Sequence, residues 1–442
     1  MEQEEMETEN QNQTPLGTVQ DAVECLYTFR DHYFENHSLE EAANKTEKVA
    51  KQLKETLNIL ETHQGSIENK AQYCMLRGKA LNVLPSYSAE ALELLSKAVK
   101  LDPKMVEAWN NLGETYWKKG DIAAAKNCFS GALEHSKNKI SLRNLSMVLR
   151  QLGKDQEERL KYTEESVEFA KSAIELDIKD GTSWFIMGNA YLSLFFGSNQ
   201  LPKVLKQCMS AYNQAEKDIV ASCNPDLHFN RAIAYKYMEE YQLALVGFSR
   251  AAALDPTWGE PMEKHNKLLE YLATIQDYTH KKGKLKGKKL ETMLKSLKGD
   301  QDLGAYQGGS YKGPKGQTVK LEKTFLKNLK PELNSEKVII GKVVCSFTSD
   351  DPVPFSFCFV DEEETCFPVN VYNVAPGYGV KIGDSVAIPE PFVQLVDVKV
   401  GEQAFQFKSI RVDSPVVLVV NGRKLGLDKQ APSQLSVSAK SE

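Results

Sequence analysis

No apolar run in the chain approaches the roughly 18–20 residues that a bilayer-crossing helix needs, which excludes a transmembrane helix. The eight cysteines (Cys25, Cys74, Cys128, Cys208, Cys223, Cys345, Cys358, Cys366) form no C-x-x-C pair, and no apolar N-terminal segment would send them to an oxidising compartment. They read as reduced, mostly core-packed thiols, and the chain is expected in the cytoplasm and nucleus. Histidine is scarce: His32, His37, His63, His135, His228, His265 and His280 form no H-E-x-x-H and no metal-spaced cluster with cysteine. The glycines from Gly308 to Gly313 lack the spacing and the following Lys-Ser or Lys-Thr of a phosphate loop. No metal, no cofactor and no catalytic constellation is expected, so the chain reads as a non-enzyme.

What is present is an ordinary soluble balance, 41% hydrophobic and 26% charged, over 442 residues, a length that suits two domains with tails. The net charge of −5 conceals a segregation. Glu2, Glu4, Glu5, Glu7 and Glu9 make residues 1–16 an acidic tail, expected to be disordered. Between Lys281 and Lys298 eight lysines face the single acid Glu291.

A repeat of about 34 residues organises the first part of the chain. Trp109, Leu112, Gly113, Tyr116, Gly120, Ala125, Phe129 and Ala132 fit the tetratricopeptide pattern W-x2-L-G-x2-Y…A-x3-F-x2-A. Gly113 and Ala125 are expected where the two helices of a unit touch, Tyr116 and Phe129 between them, and Gly120 in the turn. The register returns at Trp184, Met187, Gly188 and Tyr191, at Tyr235, Ala244, Phe248 and Ala251, and earlier at Ala91, Leu95 and Ala98. A weaker unit reads Leu142, Leu145, Ser146 and Leu149. Val19, Val23, Leu26 and Phe29, with Val49, Leu53, Leu57 and Leu60, suit an atypical first helix pair, and residues 259–279 a capping helix.

In such arrays the concave surface is lined from the first helix of each unit, at positions near 2, 5, 9 and 12. Here these are Glu107, Asn110, Glu114 and Trp117, then Arg143, Met147 and Arg150, then Phe185 and Asn189, then Asp226 and Phe229. Arginines opposite an acid, with aromatics between, suit an extended peptide carrying opposite charges a few residues apart. The alternative is that Arg143 and Arg150 only pair with neighbouring acids. Asn110 and Glu114 stand where carboxylate-clamping arrays carry Lys and Asn, so a chaperone-tail clamp is disfavoured.

From about Lys337 the pattern becomes strand-like, with short β-branched and aromatic runs separated by Gly, Pro and Asp. The Gly383-Asp384-Ser385-Val386 turn favours an OB-fold-like β-barrel. Phe355, Phe357 and Phe359 read as core. Tyr372, Tyr378, Lys381 and Arg411 are the candidates for a single-strand nucleic-acid face, against the alternative of a barrel that packs on the array or binds protein. The fold class is thus mainly α: a tetratricopeptide (TPR) solenoid followed by a C-terminal OB-fold-like β-barrel. The boundaries are 1–16 for the acidic tail, 17–279 for the array with its capping helix, and 280–335 for a basic, glycine-rich linker. The barrel spans 336–423 and a disordered tail 424–442.

The runs Gly78 to Val83, Leu94 to Asp102, Asn144 to Leu152, Gly247 to Pro256 and Ile382 to Pro391 resemble the family of tetratricopeptide repeat domain protein five, also called Strap. The likeness extends from about residue 22 to 423. It implies an adaptor that recognises the N-terminal Met-Arg-Glu peptide of nascent α- and β-tubulin at the ribosome and triggers tubulin mRNA decay. The implied partners are ribosomal RNA and protein near the exit tunnel and an mRNA-decay adaptor, with no membrane. Its alternative is a nuclear stress-response cofactor that scaffolds a histone acetyltransferase and an actin-nucleating coactivator in the DNA damage response. Arg150 and Asp226, with Glu260 nearby, would then read the peptide, and Lys286 and Lys288 would face the ribosome. Lys284 and Lys289 belong to the same basic run.

Overall fold

The computed structural model describes residues 14–198, 200–312, 316–347 and 354–431. Its contacts divide the chain into two units, one built mainly on residues up to Arg231 with Ser249–Gly259, the other on Ala232–Phe248 with Glu260–Ser433.

The first unit is helical. Helices α1 (Pro15–Asp31) and α2 (Lys45–His63) are followed by α3 (Lys70–Leu81) and α4 (Ala89–Leu101), α5 (Val106–Lys119) and α6 (Ile122–His135), α7 (Lys139–Leu149) and α8 (Gln156–Leu176), and α9 (Gly181–Gly197) and α10 (Pro202–Ala215). From α3 onward each helix of a pair packs on the other, as the repeat predicts. A Cβ on Gly113 would meet the Phe129 ring at 2.5 Å, and one on Gly188 the Tyr212 ring at the same distance, so the missing side chain lets the paired helices approach. Gly120 ends α5 at φ +85, and Asp121 starts α6 by accepting the Ala124 N–H at 3.0 Å. Asn138, Asp155 and Asp180 cap later helices in the same way. Val19, Val23, Leu26, Val49, Leu53 and Leu60 are buried in one cluster, which makes α1 and α2 the atypical first pair, with Phe29 and Leu57 partly buried. Thr14, inside the expected acidic tail, caps α1. Residues 1–13 lie outside the described residues.

Helices α11 (Pro225–Tyr237) and α12 (Tyr241–Leu254) carry the last repeat from one unit into the other. In the second unit, α13 (Glu260–His280) covers the residues expected to form a capping helix. Strands β1 (Ser310–Lys312) and β2 (Thr318–Lys320) form a hairpin. The larger sheet comprises β3 (Glu322–Lys323), β4 (Glu332–Leu333), β5 (Lys337–Phe347), β6 (Phe355–Val360), β7 (Cys366–Val371), β8 (Ser385–Pro389), β9 (Phe392–Val400), β10 (Gln403–Val412), β11 (Val419–Val420) and β12 (Arg423–Lys424). Its order is β12-β11-β8-β5-β6-β7-β10-β9-β4, with β3 beside β5 and with β7 and β10 parallel. The path ends on β4, which only Asn334, Ser335 and Glu336 separate from β5. The hydrogen-bonded sheet is not closed, but its arrangement is OB-like. Alternate residues point inward: Ile339, Val343, Phe357, Phe359, Val369, Val371, Ile410 and Val412 form the core.

The stretch 280–335 is not the linker expected from its lysines and glycines. Helix α14 (Gly287–Lys295) inserts Leu290 among Val344, Cys345, Cys358, Val360 and Cys366, with Met293 and Leu294 packed alongside. Leu303, Tyr306 and Leu321 join Val338, Ile340, Ala387 and Val419, and the Tyr306 hydroxyl donates to the Val417 carbonyl at 2.7 Å. The lysines occupy the outer face of a helix whose inner stripe is apolar, so counting charge hid the helical period. The barrel likewise begins before 336: Leu326 is fully buried and its N–H donates to Asp361 Oδ2 at 2.8 Å. Nor does it end at 423, since Arg423–Lys424 pairs with Val419–Val420 and Gln430 bridges Val374. Residues 432–442 lie outside the described residues.

Candidate functional site

The first-helix positions of the array sort into charged groups held by neighbours and side chains sealed inside. Arg150, just past the end of α7, donates from Nη1 to the Ser146 carbonyl and hydroxyl, both at 3.2 Å, and to Ser166 Oγ at 3.3 Å. These bonds fix the guanidinium direction, because α8 supplies Ser166 and α7 the rest. Arg143 pairs with Asp180 at 3.1 Å, which is the neighbouring-acid alternative realised for that arginine. Asp226 sits in the first turn of α11, nearly buried, its backbone N–H donating to Asn224 Oδ1 at 2.9 Å. A carboxylate there is favoured by the positive end of the helix dipole. Glu114 pairs with Lys118 at 2.9 Å, and Asn110 Oδ1 accepts from Ser141 Oγ at 2.6 Å. Glu260 opens α13 and belongs to the second unit.

Met147, Phe185, Asn189 and Phe229, expected on an open groove, are buried instead. Phe229 packs on Trp258 with ring centroids 4.6 Å apart, and Asn189 Oδ1 accepts from the Tyr212 hydroxyl at 2.7 Å. Helical position identifies the face of a helix. It does not say how closely the next repeat closes over that face.

The basic segment divides in the same way. Lys281, Lys282, Lys284 and Lys295 pair with Asp277, Glu364, Asp277 and Glu291. Lys286, Lys288 and Lys289 are exposed and make no ion pair among the described residues. The three stand at the start of α14, whose apolar stripe anchors them on the barrel.

The barrel surface expected to offer Tyr372 and Arg411 is covered. Tyr372 is fully buried and its hydroxyl donates to Glu239 Oε1 at 3.0 Å. The Arg411 guanidinium lies 4.0 Å from the centroid of the Tyr372 ring, donates to the Tyr237 carbonyl at 2.7 Å and pairs with Glu239 at 3.5 Å. Burial pushes the Glu239 carboxyl above its ordinary value, against the opposing pull of Arg411. The outward residues of β6 and β7 are taken as well: the Tyr271 hydroxyl meets Ser356 Oγ at 2.9 Å and Asn370 Oδ1 at 3.0 Å. The strand face on which OB folds bind oligonucleotides is thus occupied by the last helices of the same chain. Tyr378 and Lys381 remain accessible, with Lys429 above the Tyr378 ring. Sequence reasoning missed Glu239, whose only signal is an acid in the turn between two apolar helices.

The eight cysteines are unpaired, and among the described residues no three His, Cys, Asp or Glu side chains gather as they would around a metal ion. No described helix is long and apolar enough to cross a membrane.

Two TPR profiles match residues 89–120 and 106–138, and the profile of the "Tetratricopeptide repeat protein 5 OB fold domain" matches 320–434. Tetratricopeptide repeat protein 5 of Homo sapiens is 53% identical over 418 residues, covering 94% of this chain and 95% of that one. Its Bos taurus counterpart is 51% identical over 423 residues, with coverages of 95% and 96%. Repeats of this class are protein-interaction scaffolds that bind peptides or partner proteins. An array of helix pairs that ends in an OB domain of this specific type, and relatives alike over almost the whole length, establish that the chain belongs to the tetratricopeptide repeat protein 5 family.

Proposed function

We propose that the chain is a non-enzymatic adaptor of cytoplasm and nucleus that recognises the N-terminal Met-Arg-Glu peptide of nascent tubulin at the ribosome and triggers decay of the tubulin message. The supporting observation is the pair of opposite charges in the array, each fixed by its own scaffold: Arg150 by two serines, Asp226 by the first turn of α11. Asp226 takes the arginine of the peptide and Arg150 its acidic side chain, through charge-assisted bonds. Lys286, Lys288 and Lys289 follow the phosphate backbone of ribosomal RNA. Decay machinery is recruited by a further partner of the adaptor.

The test is titration of the full chain with a synthetic peptide beginning Met-Arg-Glu. Arg150→Ala and Asp226→Ala each leave the opposite charge unmatched, a loss of about 2–5 kcal/mol, so affinity drops tenfold or more. Equal binding by wild type and both variants, with their helical circular dichroism intact, would remove the assignment.

A further inference from the structure

We propose that Cys345 and Cys358 form a peroxide-sensitive dithiol beneath α14, and that their oxidation to a disulfide loosens that helix. Cys345 on β5 stands directly opposite Cys358 on β6. Directly opposite residues of an antiparallel pair have Cα atoms about 4.5–5.5 Å apart, inside the roughly 4.4–6.8 Å that a disulfide spans. Cys366 on β7 faces Val360, two residues beyond Cys358, so it shares their side of the sheet at a diagonal position. Diagonal neighbours lie about 7–8 Å apart, too far to bridge without moving the backbone. The register therefore singles out the pair Cys345 and Cys358 among the three. They are 5% and 0% exposed.

A lone buried cysteine is an inert apolar filler. What sets this pair apart, besides its register, is its cover. Helix α14 has nine residues, no side-chain cap at its start, and Leu290 as its buried residue. A helix so short is marginal by itself, so its seat holds it: Leu290, Met293 and Leu294 gather with the three thiols, Val344 and Val360. From α13, Thr279 Oγ1 lies 3.7 Å from Cys358 Sγ. While α14 is down the dithiol is protected, because the hydrogen bond with Cys358 and burial push the Cys345 thiol above its ordinary value, and the thiolate is the reactive form. With α14 lifted, one thiol attacks hydrogen peroxide, takes up an oxygen and releases water. The second thiol attacks the resulting sulfenic sulfur, forms the S–S bond and expels a second water. Two electrons pass from the sulfurs to the peroxide, and both thiol hydrogens leave in the waters. Joining the sulfurs shifts two side chains of the seat, and a close-packed interior resists such a change of shape. Lys288 and Lys289, exposed on α14, are then held less firmly.

The test exposes the full chain to hydrogen peroxide, in a background of Cys25→Ser with Cys223→Ser that removes the two cysteines outside the buried set. Remaining thiols are alkylated and the disulfides mapped by mass spectrometry of unreduced peptides. The main product is expected to join Cys345 to Cys358, to persist in Cys366→Ser and to vanish in Cys345→Ser, with Cys345→Ala in reserve if the serine variant does not fold. Leu290→Ala, which weakens the seat without touching a thiol, should oxidise about tenfold faster or more. In the oxidised chain the α14 amides should exchange hydrogen about fivefold faster or more, and a reductant should restore their protection. The inference is overturned by any of four results: no bond between Cys345 and Cys358, a main product joining Cys358 to Cys366, an oxidation rate unchanged by Leu290→Ala, or α14 exchange unchanged by oxidation.

Discussion

Replacing Arg411 with alanine tests whether the barrel and the helices of its own unit share one buried network. The substitution removes a guanidinium stacked on Tyr372, a donor to the Tyr237 carbonyl and the cation facing Glu239, whose side chain is fully buried. Breaking a buried pair from one side strands the other charge, which typically costs about 3–5 kcal/mol. Protection of β7 and β10 amides against hydrogen exchange should fall by that amount, because this readout stays local in a chain of two units. The loss should also depend on pH. Burial holds the Glu239 carboxyl above its ordinary 4.5, so the protonated form favours the fold. That contribution is full below 4.5 and is lost as pH rises through the folded value, which removal of Arg411 raises further. Arg411→Ala is therefore least destabilised near pH 4.5 and more destabilised as pH rises above it. Adding Glu239→Gln supplies a neutral acceptor for the Tyr372 hydroxyl and should recover part of the loss at neutral pH. A loss below about 1 kcal/mol at neutral pH, the range of an exposed pair, would refute the reasoning, as would a double variant no more stable than the single one.

The remaining expectations concern packing, charge and the lysine segment. Gly113→Ala forces a Cβ against the fully buried Phe129 ring and should destabilise by about 1–3 kcal/mol in urea unfolding. Gly131→Ala, in α6, meets Trp109 only at ordinary contact distance, and should instead stabilise by up to about 1 kcal/mol. Arg231 grips Glu216 with Nη1 and Nη2 of its guanidinium and holds its carboxyl below the ordinary value. That stability is present above pH 4.5 and lost as pH falls through the folded value, so Glu216→Gln should flatten the acid limb of a thermal-melt series by a few tenths to about 1 kcal/mol. Lys286→Glu with Lys288→Glu should weaken co-sedimentation with ribosomes displaying nascent tubulin and lower the salt slope of log affinity by about 2. Equal sedimentation of both proteins at two salt concentrations would assign the segment a purely structural role.

The sequence by itself determined the solenoid, because the repeat is a local rule. Gly113 beside Phe129 and Gly188 beside Tyr212 follow from spacing within one helix pair, and the caps at Asp121 and Asn138 from residues three apart. It also determined the inward faces of the barrel, where Phe357 and Phe359 alternate with Ser356 and Cys358. Only the tertiary structure decided which exposed-looking groups are available. Arg411 and Tyr372 carry the residue types of a nucleic-acid face, yet Glu239, far away in sequence, takes both. Leu290 lies among lysines, yet its helix finds a hydrophobic cluster built from three strands. Asn189 has the right helical phase for a groove, yet its burial against Tyr212 and Asn230 arises from the approach of neighbouring helices. Periodicity assigns a side chain to a face of its own element. What covers that face is set by residues distant in the chain, whose positions no local pattern encodes.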